Sequence, residues 1–342
     1  MRGVVYLGDS RVEVRDFPQP EPGPGQVLIK MQIGGLCGSD LHKYHSGRAW
    51  AKERDGMISG HEPAGIVAAV GPNVEHPAVG DRVCVYHRLG CGHCPDCRSG
   101  YDGLCVEGSG AFGRTQDGSH ADYMLAPARH CLPLPDGVSF ETGTQLACTA
   151  GTSFAALNKI PAAPGETLVV FGLGPVGLAG LLWAVGKGFR GIGVDVQPYR
   201  LELAQKIGKG QVIDARADDP VKAVWDLTNG RGAAGVLECS GNPRARTQAA
   251  AAAGRRGIVV YVGGGGTDLN LDVGALIGKD LTLRGNSVFS MASYFEALEF
   301  LRHTTVPLDQ TVTHRFGIEE AVEAFATFDA GGTGKVVFAW DH

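Results

Sequence analysis

No basic run interrupts this chain of 342 residues, whose charge leans slightly acidic: 31 Lys and Arg against 36 Asp and Glu, a formal net charge of −5. That balance gives no electrostatic support to a nucleic-acid or anionic-membrane partner and leaves a small-molecule substrate as the expectation. The opening residues MRGVVYLGDSRVEVRD lack a basic start followed by an apolar stretch, so no secretion signal is expected and a cytoplasmic location is. Internal repeats and low-complexity tracts are absent too, so the length must be accounted for by ordinary cores; it exceeds one and suggests two domains. Charge is missing altogether from Leu168 to Gly186, close to the minimum for a membrane span. The glycines and Pro175 within that stretch sit where a strand turns into a helix. Both elements, buried on two faces of a parallel sheet, would be continuously apolar without crossing a membrane.

What the chain does have is a cluster of cysteines. Cys91, Cys94, Cys97 and Cys105 follow a C-x2-C-x2-C-x7-C spacing. Thiolates do not pack together unless something satisfies them, and tetrahedral Zn²⁺ takes four sulfurs with the chain looped around it. A metal with four protein ligands has no open position, so this zinc is expected to be structural. The alternatives are two disulfides or scattered reduced thiols, and disulfides suit a small secreted chain rather than this one. Cys84, Cys131 and Cys239 fall outside any ligand spacing and read as buried, unreactive thiols.

The rhythm of the sequence changes near residue 150. Before it, short strands broken by turns (VVYL, VLIKMQI, GIVAAV, DRVCVY) give an all-β pattern. After it, strands alternate with helices (TLVVF, an apolar helix, GIGVDV, YRLELAQKIG, VLECSG, GIVVYVG, LTLRGN), the pattern of a parallel α/β sheet. The expected division is a β-rich domain over 1–150 with a zinc lobe at about 88–106, a nucleotide-binding domain over 151–287, and a return segment over 288–342 that completes the first domain.

Gly172-Leu-Gly174-Pro175-Val176-Gly177 follows the strand TLVVF and opens a helix. In that context Gly172 permits the tight turn, Gly174 lets backbone approach a pyrophosphate, and Gly177 allows close helix-to-strand packing, with the helix N-terminus facing phosphate. At the end of the next strand Asp195 can accept hydrogen bonds from the adenosine ribose hydroxyls and would repel a 2′-phosphate. NAD is therefore expected over NADP, a preference that Arg200, close by in sequence, blurs.

Three further stretches hold residues that a second zinc would use: Cys37-Gly-Ser39-Asp40-Leu-His42, Gly60-His61-Glu62-Pro-Ala-Gly65 and Leu146-Ala-Cys148-Thr-Ala-Gly151. A catalytic zinc takes three protein ligands and keeps one open position, and Cys37, His61 and Cys148 supply a Cys2His set. Together with the four-cysteine lobe and the glycine fingerprint, these motifs resemble the zinc-dependent medium-chain alcohol dehydrogenases, in the family's own order along nearly the whole chain.

The resemblance implies an α/β protein, a doubly wound Rossmann parallel sheet plus a β-rich, GroES-like catalytic domain. It implies two zinc ions per chain and NAD as cofactors, with Cys37, His61 and Cys148 at the catalytic zinc and Glu62 beside it as an acid or alternative ligand. Ser39 matches the hydroxyl that meets the substrate alcohol, His42 the outer member of a proton relay, and Asp40 the group that orients His61. The reaction implied is hydride transfer between a secondary alcohol or polyol and NAD, giving the ketone. The alternatives are a simple primary alcohol or aldehyde dehydrogenase of the same family, and a relative that kept the fold and lost the chemistry. Polyol and threonine dehydrogenases of the family often carry Glu where this chain has Cys148. Relatives of this length are commonly homotetramers built on dimers. Tyr44, Trp50, Phe112 and Phe154 could line the substrate pocket, although aromatics are more often core than cleft, and Gly263 to Gly266 could pass near the nicotinamide or be only a loop.

Overall fold

The computed structural model describes residues 1–208, 210–265 and 268–340. The chain forms two compact units, one of Met1–Cys148 with the segment from Val312 onward, the other of Thr149–Thr311.

The first unit is organised around the strand Gln26–Gly35, whose Val27, Ile29 and Met31 are fully buried. The strand order of its sheet is Val312–Phe316, Lys335–Ala339, Gln26–Gly35, Pro63–Val70, Arg82–Val85 and Cys131–Pro133, and Tyr123–Pro127 also pairs with Gln26–Gly35. Alternating β-branched and aliphatic residues turn one face of these strands into a core with Tyr44, Phe112, Phe325 and Phe338. The all-β expectation passed over the helices here, among them two that border the cysteine and histidine motifs. Asp40 accepts a hydrogen bond from the Cys37 backbone N–H at 3.0 Å and starts the helix Gly38–Tyr44. Ser139 accepts one from Thr142 N–H and starts Phe140–Leu146. Both helices have only seven residues, too few for a hydrophobic period to stand out.

The second unit is a six-stranded parallel sheet in the order Gln211–Asp214, Arg190–Asp195, Thr167–Phe171, Ala233–Glu238, Ala253–Tyr261, Thr282–Gly285. The order reverses beside Thr167–Phe171, the topological switch at which doubly wound sheets bind ligands beyond the strand ends. Leu168–Phe171 and Val236–Leu237 are buried on both faces, and the apolar stretch continues into the helix Pro175–Gly186. Among the described residues no helix is long and apolar enough to cross a membrane.

The expected return segment began too early. Residues 288–311 belong to the second unit, where the helix Met291–His303 buries Tyr294, Ala297 and Leu298. Its Phe300 ring lies 6.2 Å from that of Phe154 and 5.9 Å from that of Trp183. This aromatic cluster holds the helix on the α/β side, and only from Val312 does the chain contribute strands to the first unit.

Candidate metal and nucleotide sites

In the lobe, Cys94 precedes the short helix Pro95–Arg98, and its N–H points at Cys91 Sγ, 3.3 Å away. The N–H of Cys91 likewise points at Cys105 Sγ at 3.3 Å. Sulfur separations are 3.9 Å for Cys91–Cys97 and 4.0 Å for Cys94–Cys105. Four sulfurs at Zn–S bonds of about 2.3 Å would lie about 3.8 Å apart on a tetrahedron, so the donors fit that ion. All nine cysteines are free, which leaves the disulfide alternative without a pair. Asp102, fully buried, ties the lobe down: it accepts from Gly90 N–H at 3.2 Å and His130 Nε2 at 2.8 Å and pairs with Arg129. Burial pushes its carboxyl up, yet His130 and Arg129 outweigh that and hold it at about 2.

The second cluster brings together residues from three places in the first unit. Cys37 caps a helix, His61 and Glu62 directly precede the strand Pro63–Val70, and Cys148 follows the helix Phe140–Leu146. All four are buried, and their ligand atoms lie within 4.8 Å of one another. Gly60, at φ +91°, makes the entry possible, since a Cβ there would overlap the His120 ring. Thr144 donates its hydroxyl hydrogen to the Glu62 carbonyl and fixes the segment.

Ser39 Oγ stands 3.3 Å from His61 Nε2, and Asp40 Oδ1 stands 3.3 Å from His61 Nδ1 at an ion-pair distance without hydrogen-bond alignment. Asp40 is a hub. It accepts from Tyr6 OH at 3.1 Å, Lys43 Nζ at 3.2 Å and the Cys37 N–H. Burial raises its carboxyl, but His61 and Lys43 bring it well below the usual carboxylate range. For Cys37 the hydrogen bond with Cys148 lowers the thiol well below its ordinary value; burial opposes this and His61 assists. Burial pushes Glu62 up to about 8 against the attraction of Lys335. Two soft sulfurs, an imidazole and a carboxylate in a dry pocket form the donor set of a zinc site, and Glu62 Oε1 is buried without a hydrogen-bond partner. His42 lies on the helix that bears Ser39 and is exposed.

At the glycine fingerprint, Gly172 has φ +84°, and a Cβ on Gly177 would overlap the Gly172 carbonyl oxygen. A Cβ on Gly174 would meet only Arg200 Nη1, 4.0 Å away, so its face is open. Pro175 and Val176 begin the helix, whose N-terminus no side chain caps. Asp195 is buried at the end of its strand rather than solvated. Its carboxylate is buried and accepts three backbone N–H groups, from Leu173 at 2.5 Å, Val196 at 2.7 Å and Gln197 at 2.8 Å, with Arg200 Nη1 4.0 Å away. It therefore ties the glycine turn to the neighbouring strand.

Of the four aromatics, Tyr44, Phe112 and Phe154 take the commoner place in the core, Phe154 packing on Trp183, and Trp50 is only partly buried. Cys84 and Cys131 are buried as expected, burial pushing the Cys131 thiol up to about 12, while Cys239 is partly exposed. Arg246 donates to the carbonyls of Gly263 and Gly265, and Gly266 lies outside the described residues. Sequence reasoning missed Lys335, Tyr6, Lys43, His87 and His120 around the second cluster. Only the lysine opening an otherwise apolar strand, KVVFAW, was a signal.

Residues 23–136 match the alcohol dehydrogenase GroES-like domain, and residues 175–303 match the zinc-binding dehydrogenase domain. The zinc-type alcohol dehydrogenase-like protein YphC of Escherichia coli is 39% identical, covering 97% of each chain. The L-threonine 3-dehydrogenase of Pyrococcus abyssi is 36% identical over 95% of this chain and 94% of its own. The sorbitol dehydrogenase of Bacillus subtilis is 32% identical over 95% and 92%. Among solved structures, the alcohol dehydrogenase TADH from Thermus sp. ATN1 superposes with a TM-score of 0.88 at 28% identity, covering 99% of both chains. The chain belongs to the zinc-dependent medium-chain alcohol dehydrogenase family.

Proposed function

We propose that the protein is an NAD-dependent dehydrogenase that removes a hydride from a secondary alcohol or polyol and gives the ketone. The observation that carries this reading is the buried Cys37, His61, Glu62 and Cys148 cluster, with the Ser39 hydroxyl 3.3 Å from His61 Nε2. When bound, zinc held by Cys37, His61 and Cys148 supplies a Lewis acid that favours loss of the alcohol proton near neutral pH, and NAD supplies the hydride acceptor.

The chain's own residues do the rest. Asp40 holds the His61 ring so that Nε2 faces the site. Ser39 Oγ accepts the substrate's hydroxyl proton as it hands on its own, and exposed His42 passes a proton to solvent. Glu62 stands by as a nearby acid. In the second unit the open face at Gly174 and the uncapped helix beginning at Pro175 and Val176 receive the pyrophosphate, while Asp195 and Arg200 meet the adenosine ribose. The Cys91, Cys94, Cys97 and Cys105 lobe holds a second, structural zinc. Relatives named for threonine and sorbitol oxidation support a secondary alcohol. Cys148 favours the other reading, a simple primary alcohol. The exposed edge strand Thr282–Gly285 suits assembly into dimers that form a tetramer.

The test is NADH formation at 340 nm with NAD and a panel of polyols, other secondary alcohols, amino alcohols and primary alcohols. A secondary alcohol turned over with the highest kcat/KM is the expected result. Preference for primary alcohols transfers the assignment to the second reading, and inactivity across the panel in zinc-replete protein overturns both.

A further inference from the structure

Of the four lobe sulfurs, Cys91 alone is only partly buried. Facing it on the outside are His93 and Glu107, with 65% and 52% of their side chains exposed. His93 Nδ1 lies 3.1 Å from the Cys91 carbonyl oxygen, to which it can only donate, and its Nε2 lies 2.8 Å from Glu107 Oε1. With Nδ1 turned to that carbonyl, Nε2 is the ring nitrogen that faces the Glu107 carboxylate. A backbone carbonyl fixing the far ring nitrogen is also how metal-bound imidazoles are generally oriented. Cys91 Sγ, the His93 ring nitrogen and the Glu107 carboxylate lie within 4.8 Å of one another. As a surface ion pair, His93 and Glu107 contribute little to stability. As a thiolate, an imidazole and a carboxylate they are three zinc donors with a position open to water.

We propose that Cys91, His93 and Glu107 form an outer zinc-capture site that shares the Cys91 sulfur with the four-cysteine lobe, and through which zinc enters and leaves that lobe. The inference rests on the reading of the lobe as a zinc site. Incoming Zn²⁺ exchanges water for the three outer ligands as the Cys91 thiol proton passes to solvent; His93 and Glu107 then release it as Cys94, Cys97 and Cys105 take it, their thiol protons also passing to solvent, and no other bond changes. Exposure of His93 and Glu107 is what such a role needs, because the buried sulfurs are reached through the one that is not.

The experiment follows incorporation of isotopically enriched zinc into the intact, zinc-replete protein by mass spectrometry, which separates a fast-exchanging pool from a slow one. His93→Ala and Glu107→Gln should each slow incorporation into the slow pool at least about threefold. The fast pool, total zinc and melting temperature should stay unchanged, and Glu107→Asp should restore most of the rate. Unchanged or faster exchange in both variants overturns the capture site while leaving the lobe zinc standing. A wild-type protein with no slowly exchanging zinc overturns the lobe reading, and the capture site falls with it.

Discussion

Lys335 and Glu62 form an ion pair in which both side chains are fully buried, although 273 positions separate them in the sequence. Lys335 opens the strand Lys335–Ala339 and also donates to the Leu36 carbonyl at 2.8 Å, while Glu62 adjoins His61. Gly35 leaves the room, since a Cβ there would overlap the Glu62 carboxylate. The last strand of the chain thus places a positive charge under the candidate catalytic cluster.

Removing Lys335 leaves Glu62 buried without its counter-charge, and the carboxyl, already pushed up to about 8, takes up a proton there. Lys335→Met should destabilise the protein by about 1 to 3 kcal/mol in urea unfolding. Combining it with Glu62→Gln should recover a large part of that loss. Strictly additive losses in the double variant would show that the two groups are not coupled.

Metal content follows from two donor sets, one closed and one with an open position. Freshly purified protein should hold two zinc ions per chain, and a chelator should remove one of them faster. Cys94→Ser should lower folding stability more than NAD affinity, because a structural zinc contributes directly to folding. A metal analysis of one zinc or none in unchelated protein contradicts this.

Asp195 carries two roles that can be separated. If its carboxylate also meets the adenosine ribose, NAD should exceed NADP by at least about tenfold in kcat/KM, and Asp195→Ala should narrow the ratio. Because the same carboxylate accepts three backbone N–H groups, the variant should also melt earlier. A lower melting temperature with an unchanged cofactor ratio leaves only the structural role.

For the relay, His42→Gln should reduce alcohol oxidation at neutral pH by roughly tenfold, with zinc content and NAD affinity retained. The deficit should shrink as pH rises, since hydroxide can then take the proton without an imidazole. Cys37→Ser or His61→Ala should instead abolish turnover at every pH with loss of the catalytic zinc. A pH profile of unchanged shape in His42→Gln removes His42 from the relay.

His120 sets an acid limit on stability. Fully buried, with its ring nitrogens 2.9 Å from Ser59 Oγ and 3.1 Å from the Gly35 carbonyl, it is held by burial at about 4. A folded value below the unfolded one, about 6.5, means that the fold favours the neutral ring. The contribution is complete above about pH 6.5 and is lost as pH falls toward 4, by which point it amounts to about 3 kcal/mol. His87, held by burial at about 3, acts with the same sign. Unfolding free energy should therefore decline steadily from pH 6.5 to 4.5, and less steeply in His120→Gln. Equal slopes in the two proteins would assign the decline to other groups.

The sequence by itself determined whatever depends on residues close together in the chain. The C-x2-C-x2-C spacing brings sulfurs together within one loop, and Gly172, Gly174 and Gly177 specify a turn whose geometry only small residues allow. The strand–helix alternation after residue 150 follows from local periodicity in the same way. Cys37, His61 and Cys148 were legible as ligands only through resemblance, because nothing local marks a lone cysteine as anything but a small core residue. The tertiary structure decided which distant groups share a buried space. It placed Lys335 on Glu62, Tyr6 on Asp40 and the Leu173 N–H on Asp195, and it kept residues 288–311 with the α/β unit through Phe300, Phe154 and Trp183. A local pattern fixes backbone conformation and periodicity. Which charges neutralise each other away from water depends on strand pairing across hundreds of residues, and no short window of sequence carries that information.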